Sequence, residues 1–151
     1  MKKLTILLFA FFFITTSCKY EPIYSQKKIG FVITKIQLGT KNSINLKIKD
    51  NLKIYTKEDD SKNLELKIKS QKNIKTILKN SKGNPEKFEM HIEIDLTISK
   101  KNNYKKEISF KESFKYNNSS RKFELNQLES TIEDDLINQI YNEILIYLSS
   151  N

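Results

Sequence analysis

From Phe88 to Ile98 the chain alternates without a break. Phe88, Met90, Ile92, Ile94, Leu96 and Ile98 are separated by Glu89, His91, Glu93, Asp95 and Thr97. Successive side chains of a strand point to opposite faces, so six apolar residues at period two put one face in a core and the other in water. This pattern excludes a helix here and demands a layer that covers one side of a sheet only.

The flanking segments supply that sheet. Upstream, Leu64, Leu66 and Ile68 alternate, and Ile74, Thr76 and Leu78 continue the strand beyond an irregularity expected near Gln71. Downstream come Ile108, Phe110, Phe114 and Tyr116. The connections Asn80-Ser81-Lys82-Gly83-Asn84-Pro85 and Lys100-Lys101-Asn102-Asn103 are rich in turn formers, so the three strands are expected to form an antiparallel meander. A further strand is read over Ile29 to Ile36, where Ile29, Phe31 and Ile33 share one side and the β-branched content is high.

Two segments have the helical period. After a break at Gly39, Asn42 or Ser43 is placed to cap a helix from Ile44 to about Tyr55, with Ile44, Ile48, Leu52 and Tyr55 on one stripe, although Ile44, Leu46 and Ile48 also alternate with the period of a strand. Asp59-Asp60-Ser61 then signals a turn. The last helix is expected from about Asn126 to Leu148, where Leu125, Leu128, Ile132, Leu136, Ile140, Ile144 and Tyr147 or Leu148 recur every three to four residues. Asn126 and Glu129 have the spacing of a capping box, and Glu133, Asp134 and Asp135 lie towards the positive end of the helix dipole. Ile137, Tyr141 and Leu145 widen the stripe, which suits a helix laid across a sheet. The order strand, helix, three strands, helix predicts an α+β fold: a two-layer α/β sandwich, mostly antiparallel, with both helices on one face and a polar face opposite.

The N-terminus addresses the chain to the cell envelope. Lys2 and Lys3 precede an eleven-residue, mostly apolar run from Leu4 to Ile14, then Thr15-Thr16-Ser17-Cys18. This is the layout of a secretory signal, and it falls well short of the roughly 20 residues a membrane span needs. Cys18 is the only cysteine and stands where a lipoprotein peptidase would leave it as the new first residue. The expected organisation is a signal peptide over residues 1–17, a lipidated tether over 18–28 containing Pro22, and one domain over 29–151. Acyl chains, palmitate among them, then hold the chain at a membrane, each buried methylene contributing about 0.8 kcal/mol. Lys19, and the lack of aspartate there, fits sorting to the outer membrane.

Cleavage removes two lysines, so the net charge of +9 becomes +7. Such an excess suits an anionic partner. Nucleic acid is not met by an exported, lipidated chain, which leaves lipid head groups and lipopolysaccharide; an ordinary solvated lysine-rich surface is the competing reading.

Sequence signals for catalysis are missing. His91 is the single histidine, expected on the polar face between Glu89 and Glu93, facing solvent or a partner. Three glycines make no phosphate loop, acylation of Cys18 leaves no thiol nucleophile, and the serines have no histidine partner besides His91. Neither an enzyme, a metal site nor a cofactor is expected.

Cys18-Lys19-Tyr20-Glu21-Pro22-Ile23-Tyr24, a lipoprotein cysteine followed by an aromatic and a proline, resembles the mature start of the alphaproteobacterial lipopolysaccharide-assembly lipoproteins of the LptE family. The element order is similar too, from the hairpin turning at Gly83 to the strand ending Phe114-Lys115-Tyr116 and the final helix. The resemblance implies an outer-membrane lipoprotein that sits inside an LptD-type β-barrel as plug and assembly partner for lipopolysaccharide insertion. It also implies that basic residues at the membrane-distal turns bind lipopolysaccharide; by position these are Lys79 and Lys82 on the first hairpin, and Arg121 and Lys122 before the last helix. Lysine and arginine suit phosphates because they offer charge-assisted donors. The alternative is a free periplasm-facing lipoprotein that scaffolds the envelope or binds an anionic ligand alone.

Mass spectrometry of the protein extracted from membranes is expected to find a chain that starts at Cys18 and carries diacylglyceryl and acyl mass. Cys18→Ser should accumulate at full length. A processed chain without lipid would contradict the reading.

Overall fold

The computed structural model describes residues 31–57, 63–100 and 105–150. The expected signal peptide, Cys18, the expected tether, the expected Asp59-Asp60-Ser61 turn and most of the Lys100–Asn103 connection lie outside the described residues.

Four strands form one sheet in the order β1-β2-β3-β4: β1 is Val32–Leu38, β2 Asn63–Lys79, β3 Pro85–Lys100 and β4 Lys105–Asn117. β1 runs parallel to β2, whereas β2, β3 and β4 are antiparallel neighbours, as the turn chemistry predicts. A parallel pair needs a crossover, and helix α1 (Ser43–Leu52) supplies it. Helix α2 (Lys122–Ser150) follows β4. The two-layer α+β sandwich expected from the sequence is the observed fold.

The long alternation behaves as its period requires. Met90, Ile92, Ile94, Leu96 and Ile98 are buried, while Glu89, His91, Glu93, Asp95 and Thr97 are not. Leu64, Leu66 and Ile68 of β2 and Phe110 and Tyr116 of β4 join the same core. α2 covers it with Leu125, Ile132, Leu136, Ile137, Ile140, Ile144 and Leu148, and α1 adds Ile44, Ile48 and Leu52.

α1 is fastened at its start. The Asn42 side chain caps it by accepting from the Asn45 amide at 2.8 Å, and the same oxygen accepts from the Ser70 hydroxyl of β2 at 3.1 Å. Asn45, fully buried, donates to the Thr40 carbonyl at 2.7 Å. Just before it, the Gly39 amide reaches the Ile68 carbonyl at 2.7 Å, and a Cβ on Gly39 would stand 3.2 Å from that of Lys69. The chain can leave β1 this tightly because that position has no side chain. The two helices meet through a Lys47–Asp134 ion pair and a hydrogen bond from the Tyr141 hydroxyl to the Asn51 carbonyl.

Several expectations need correction. β1 runs from Val32 to Leu38, beyond the expected end at Ile36, and an irregularity at Thr34 shifts the pattern so that Ile36 and Leu38 follow Ile33 against the core. The α1 helix ends at Leu52 and tightens into a 3-10 turn over Lys53–Tyr55. β2 passes Gln71 in regular register, and its irregularities fall instead between Thr76 and Leu78 and between Leu78 and Lys79. α2 starts four residues before Asn126, so Asn126 and Glu129 form no capping box; Glu129 accepts from the Tyr116 hydroxyl at 2.7 Å. Phe114 and Leu128, placed on apolar stripes, are half exposed.

Ile140→Ala empties a fully buried position under α2 and is expected to cost about 2–5 kcal/mol in a urea titration. Ile146→Ala, on the same helix but 62% exposed, should stay within about 0.5 kcal/mol. Equal costs would contradict the placement of this helix on the sheet.

Candidate functional site: the basic end of the sheet

β1 ends beside Ile68, since its last register pair is Leu38 with Ile68. Beyond that point β2 pairs only with β3, and residues 71–79 are all exposed. The β2–β3 hairpin therefore extends past the part of the sheet that β1 and α1 cover, and it ends in the turn at Asn80–Asn84.

That turn is built around one side chain. The Asn80 carboxamide oxygen accepts from the Lys82 amide at 3.0 Å and the Asn84 amide at 2.9 Å, while backbone bonds join Asn80 and Asn84, and Gly83 and Asn80. Asparagine favours such turns because its side chain can substitute for a backbone acceptor. Gly83 has φ of +81°, a conformation that a side chain would strain although space around it is open.

The loop after β4 is tied to the same hairpin. The Asn118 amide donates to the Glu86 carbonyl at 2.8 Å, and its side-chain nitrogen donates to the Pro85 carbonyl at 2.8 Å. The Ser119 hydroxyl then accepts from the Arg121 amide at 3.1 Å, and the first turn of α2 closes from Leu125 to the Arg121 carbonyl. Lys79 and Lys82 on the hairpin and Arg121 and Lys122 at the start of α2 thus stand at one end of the molecule, all exposed. Lys122 is the first residue of the helix rather than a residue before it. Arg121 pairs with Glu124 at 2.7 Å, and the positive end of the α2 dipole adds to the local field.

Tyr116 anchors this end. Its ring packs 5.7 Å from that of Phe88, and its hydroxyl bonds to Glu129 of α2. Burial, and then the neighbouring Glu129 carboxylate, hold the phenol well above its ordinary range, so it stays a neutral donor at any physiological pH. Neither Asn118 nor the Tyr116–Glu129 pair was singled out from sequence. Asn118 sits in a run of Asn and Ser that reads only as loop, and Glu129 satisfied a capping pattern that hid its other use.

The uncovered face of the sheet has a different character. Glu89 of β3 stands in register between Lys75 and Lys115, while Glu93 has Lys111 and Asp95 has Lys69 on one side only. The Lys111–Glu93 contact is 2.9 Å, and this hydrogen-bonded carboxylate holds the ammonium above its usual range. His91 lies on this face as expected, 2.9 Å from Glu89. Carboxylates here sit among lysines, yet Lys35, Lys67, Lys69, Lys75, Lys105, Lys111 and Lys115 outnumber Glu65, Glu89, Glu93, Asp95 and Glu107, so the excess of cations is not confined to the hairpin end. Among the described residues no group of three or more His, Cys, Asp or Glu is placed to hold a metal, and no helix is long and apolar enough to cross a membrane.

No known protein family's profile and no curated protein matches the sequence. Solved structures do match the fold. A minor lipoprotein from Acinetobacter baumannii aligns with a TM-score of 0.62 at 16% identity, over 80% of this chain and 92% of that one. The rare lipoprotein B from Shewanella oneidensis aligns with a TM-score of 0.60 at 12% identity, over 78% and 95%. A lipoprotein B from Nitrosomonas europaea aligns with a TM-score of 0.61 at 12% identity, over 81% and 84%. At these identities the likeness shows the fold: this chain has the architecture of the solved bacterial lipoproteins along nearly their whole length.

Proposed function

We propose that the protein is an LptE-like, lipid-anchored outer-membrane lipoprotein that plugs and helps assemble an LptD-type β-barrel, presenting its basic end to lipopolysaccharide. The single observation that carries this reading is the polarity of the molecule. β1, the strand that follows the expected tether in sequence, begins beside Asn63 and the end of β3, and the four cations Lys79, Lys82, Arg121 and Lys122 stand at the opposite end. β2 has 17 residues, which at a rise of about 3.3 Å each separates the two ends by about 55 Å. A lipid that fixes one end at the periplasmic leaflet would leave the other deep in, or beyond, a barrel lumen.

The remaining surface suits such a place. The uncovered sheet face is polar and carries ion pairs such as Lys111–Glu93, and the interior of a transmembrane barrel is polar as well. That face also tolerates water, which favours the second reading of a free envelope lipoprotein binding an anionic ligand alone. The role needs no catalytic group: shape, anchoring and a phosphate-binding end are enough. Each cation contributes as a charge-assisted donor, and Arg121 alone can be bidentate.

A mild-detergent pull-down of the tagged mature protein from outer membranes separates the two readings. The plug reading predicts recovery of a large β-barrel in near-equal amount. Recovery of the lipoprotein alone, from membranes in which that barrel is intact, would leave the free module.

A further inference from the structure

The basic end carries apolar side chains that the fold does not use. Ile74, Ile77 and Leu78 are 38%, 42% and 46% exposed, on the stretch of β2 that has no neighbour on its outer side. Ile77 is the extra residue of the irregularity between Thr76 and Leu78, the kind of device that redirects side chains near a strand end. Phe123, the second residue of α2, is 81% exposed next to Arg121 and Lys122 at the same end.

Single exposed apolar residues need no explanation. Three within five positions of an open edge strand are a liability unless something covers them. They are set among cations: between Lys75 and Lys87 the hairpin holds four lysines and one carboxylate, Glu86. A purely ionic ligand would leave Ile77 and Leu78 in water, and a purely apolar one would strip water from the lysines. An anionic amphiphile with phosphates beside acyl chains satisfies both.

We infer that this hairpin end binds the lipid moiety of lipopolysaccharide through its acyl chains as well as its phosphates, with Ile77 and Leu78 against the chains and Lys79 and Lys82 at the phosphates. This rests on the lipopolysaccharide reading above and adds the apolar half of the contact.

The test compares two probes on the mature lipidated protein, immobilised by a C-terminal tag in mild detergent: bis-phosphorylated hexa-acyl lipid A, and the same phosphorylated disaccharide fully deacylated. The wild type should bind the acylated probe more tightly. Ile77→Ser with Leu78→Ser should weaken acylated binding about ten-fold or more and leave the deacylated probe unchanged. Lys79→Ser with Lys82→Ser should weaken both. Ile77→Val with Leu78→Met, which keeps the surface apolar, should retain the acyl preference, and circular dichroism checks that each variant is folded. A serine pair that binds lipid A as the wild type does, or a wild type that binds both probes equally, overturns the inference and leaves the lipopolysaccharide reading standing. A wild type that binds neither probe, or only phosphatidylglycerol vesicles, overturns both.

Discussion

One contact organises this protein: the buried face of β3 lies beneath α2. Met90, Ile92, Ile94 and Leu96 are removed from water almost completely, and so are Leu136, Ile137 and Ile140 of the helix. Fully burying side chains of this size is worth about 1.5–3 kcal/mol each, so this seam dominates the stabilisation of a small domain with two prolines and no disulfide. Everything else is arranged around it. β2 and β4 extend the sheet on either side, and Tyr116–Glu129, Lys72–Glu133 and Lys47–Asp134 fix the rotation of α2 at its margins.

The exposed hairpin end follows from a mismatch in lengths. β1 has 7 residues and α1 has 10, so together they cover only the first part of a 17-residue strand. The rest of β2 projects with its hairpin partner, its outer edge unpaired, Lys72 paired with Glu133 of α2, and Lys75 and Lys79 exposed. The Asn118 bonds to Pro85 and Glu86 then join the start of α2 to the base of that projection. Cations 39 or more positions apart in sequence are collected in one place by two short loops.

Much of this was legible in the chain because the strongest signals were periodic. Strict alternation placed β3 and its two neighbours, and the wide apolar stripe placed α2. Local chemistry was ambiguous where two uses of one residue compete. Asn126 and Glu129 have capping-box spacing, yet Tyr116, brought near by the sheet, claims the Glu129 carboxylate. Thr34 fits a continuing alternation, but a local irregularity turns Ile36 inward. Exposure was the least legible property: Phe114 and Ile74 alternate in phase with buried neighbours, and only the extent of the helical layer decides that they remain uncovered. For the candidate site, sequence position brought Lys79, Lys82, Arg121 and Lys122 to attention, whereas the nearby apolar residues read as ordinary strand.

The account stands on the claim that the amphiphile is met at the hairpin end and not along the sheet. Photo-crosslinking in intact cells tests this most directly, with a benzophenone amino acid placed at Lys82, or at Thr97 on the uncovered face near the tether end. Crosslinks to lipopolysaccharide at position 82 and none at position 97 are the predicted result. Lipopolysaccharide adducts at position 97 with none at position 82 would contradict it.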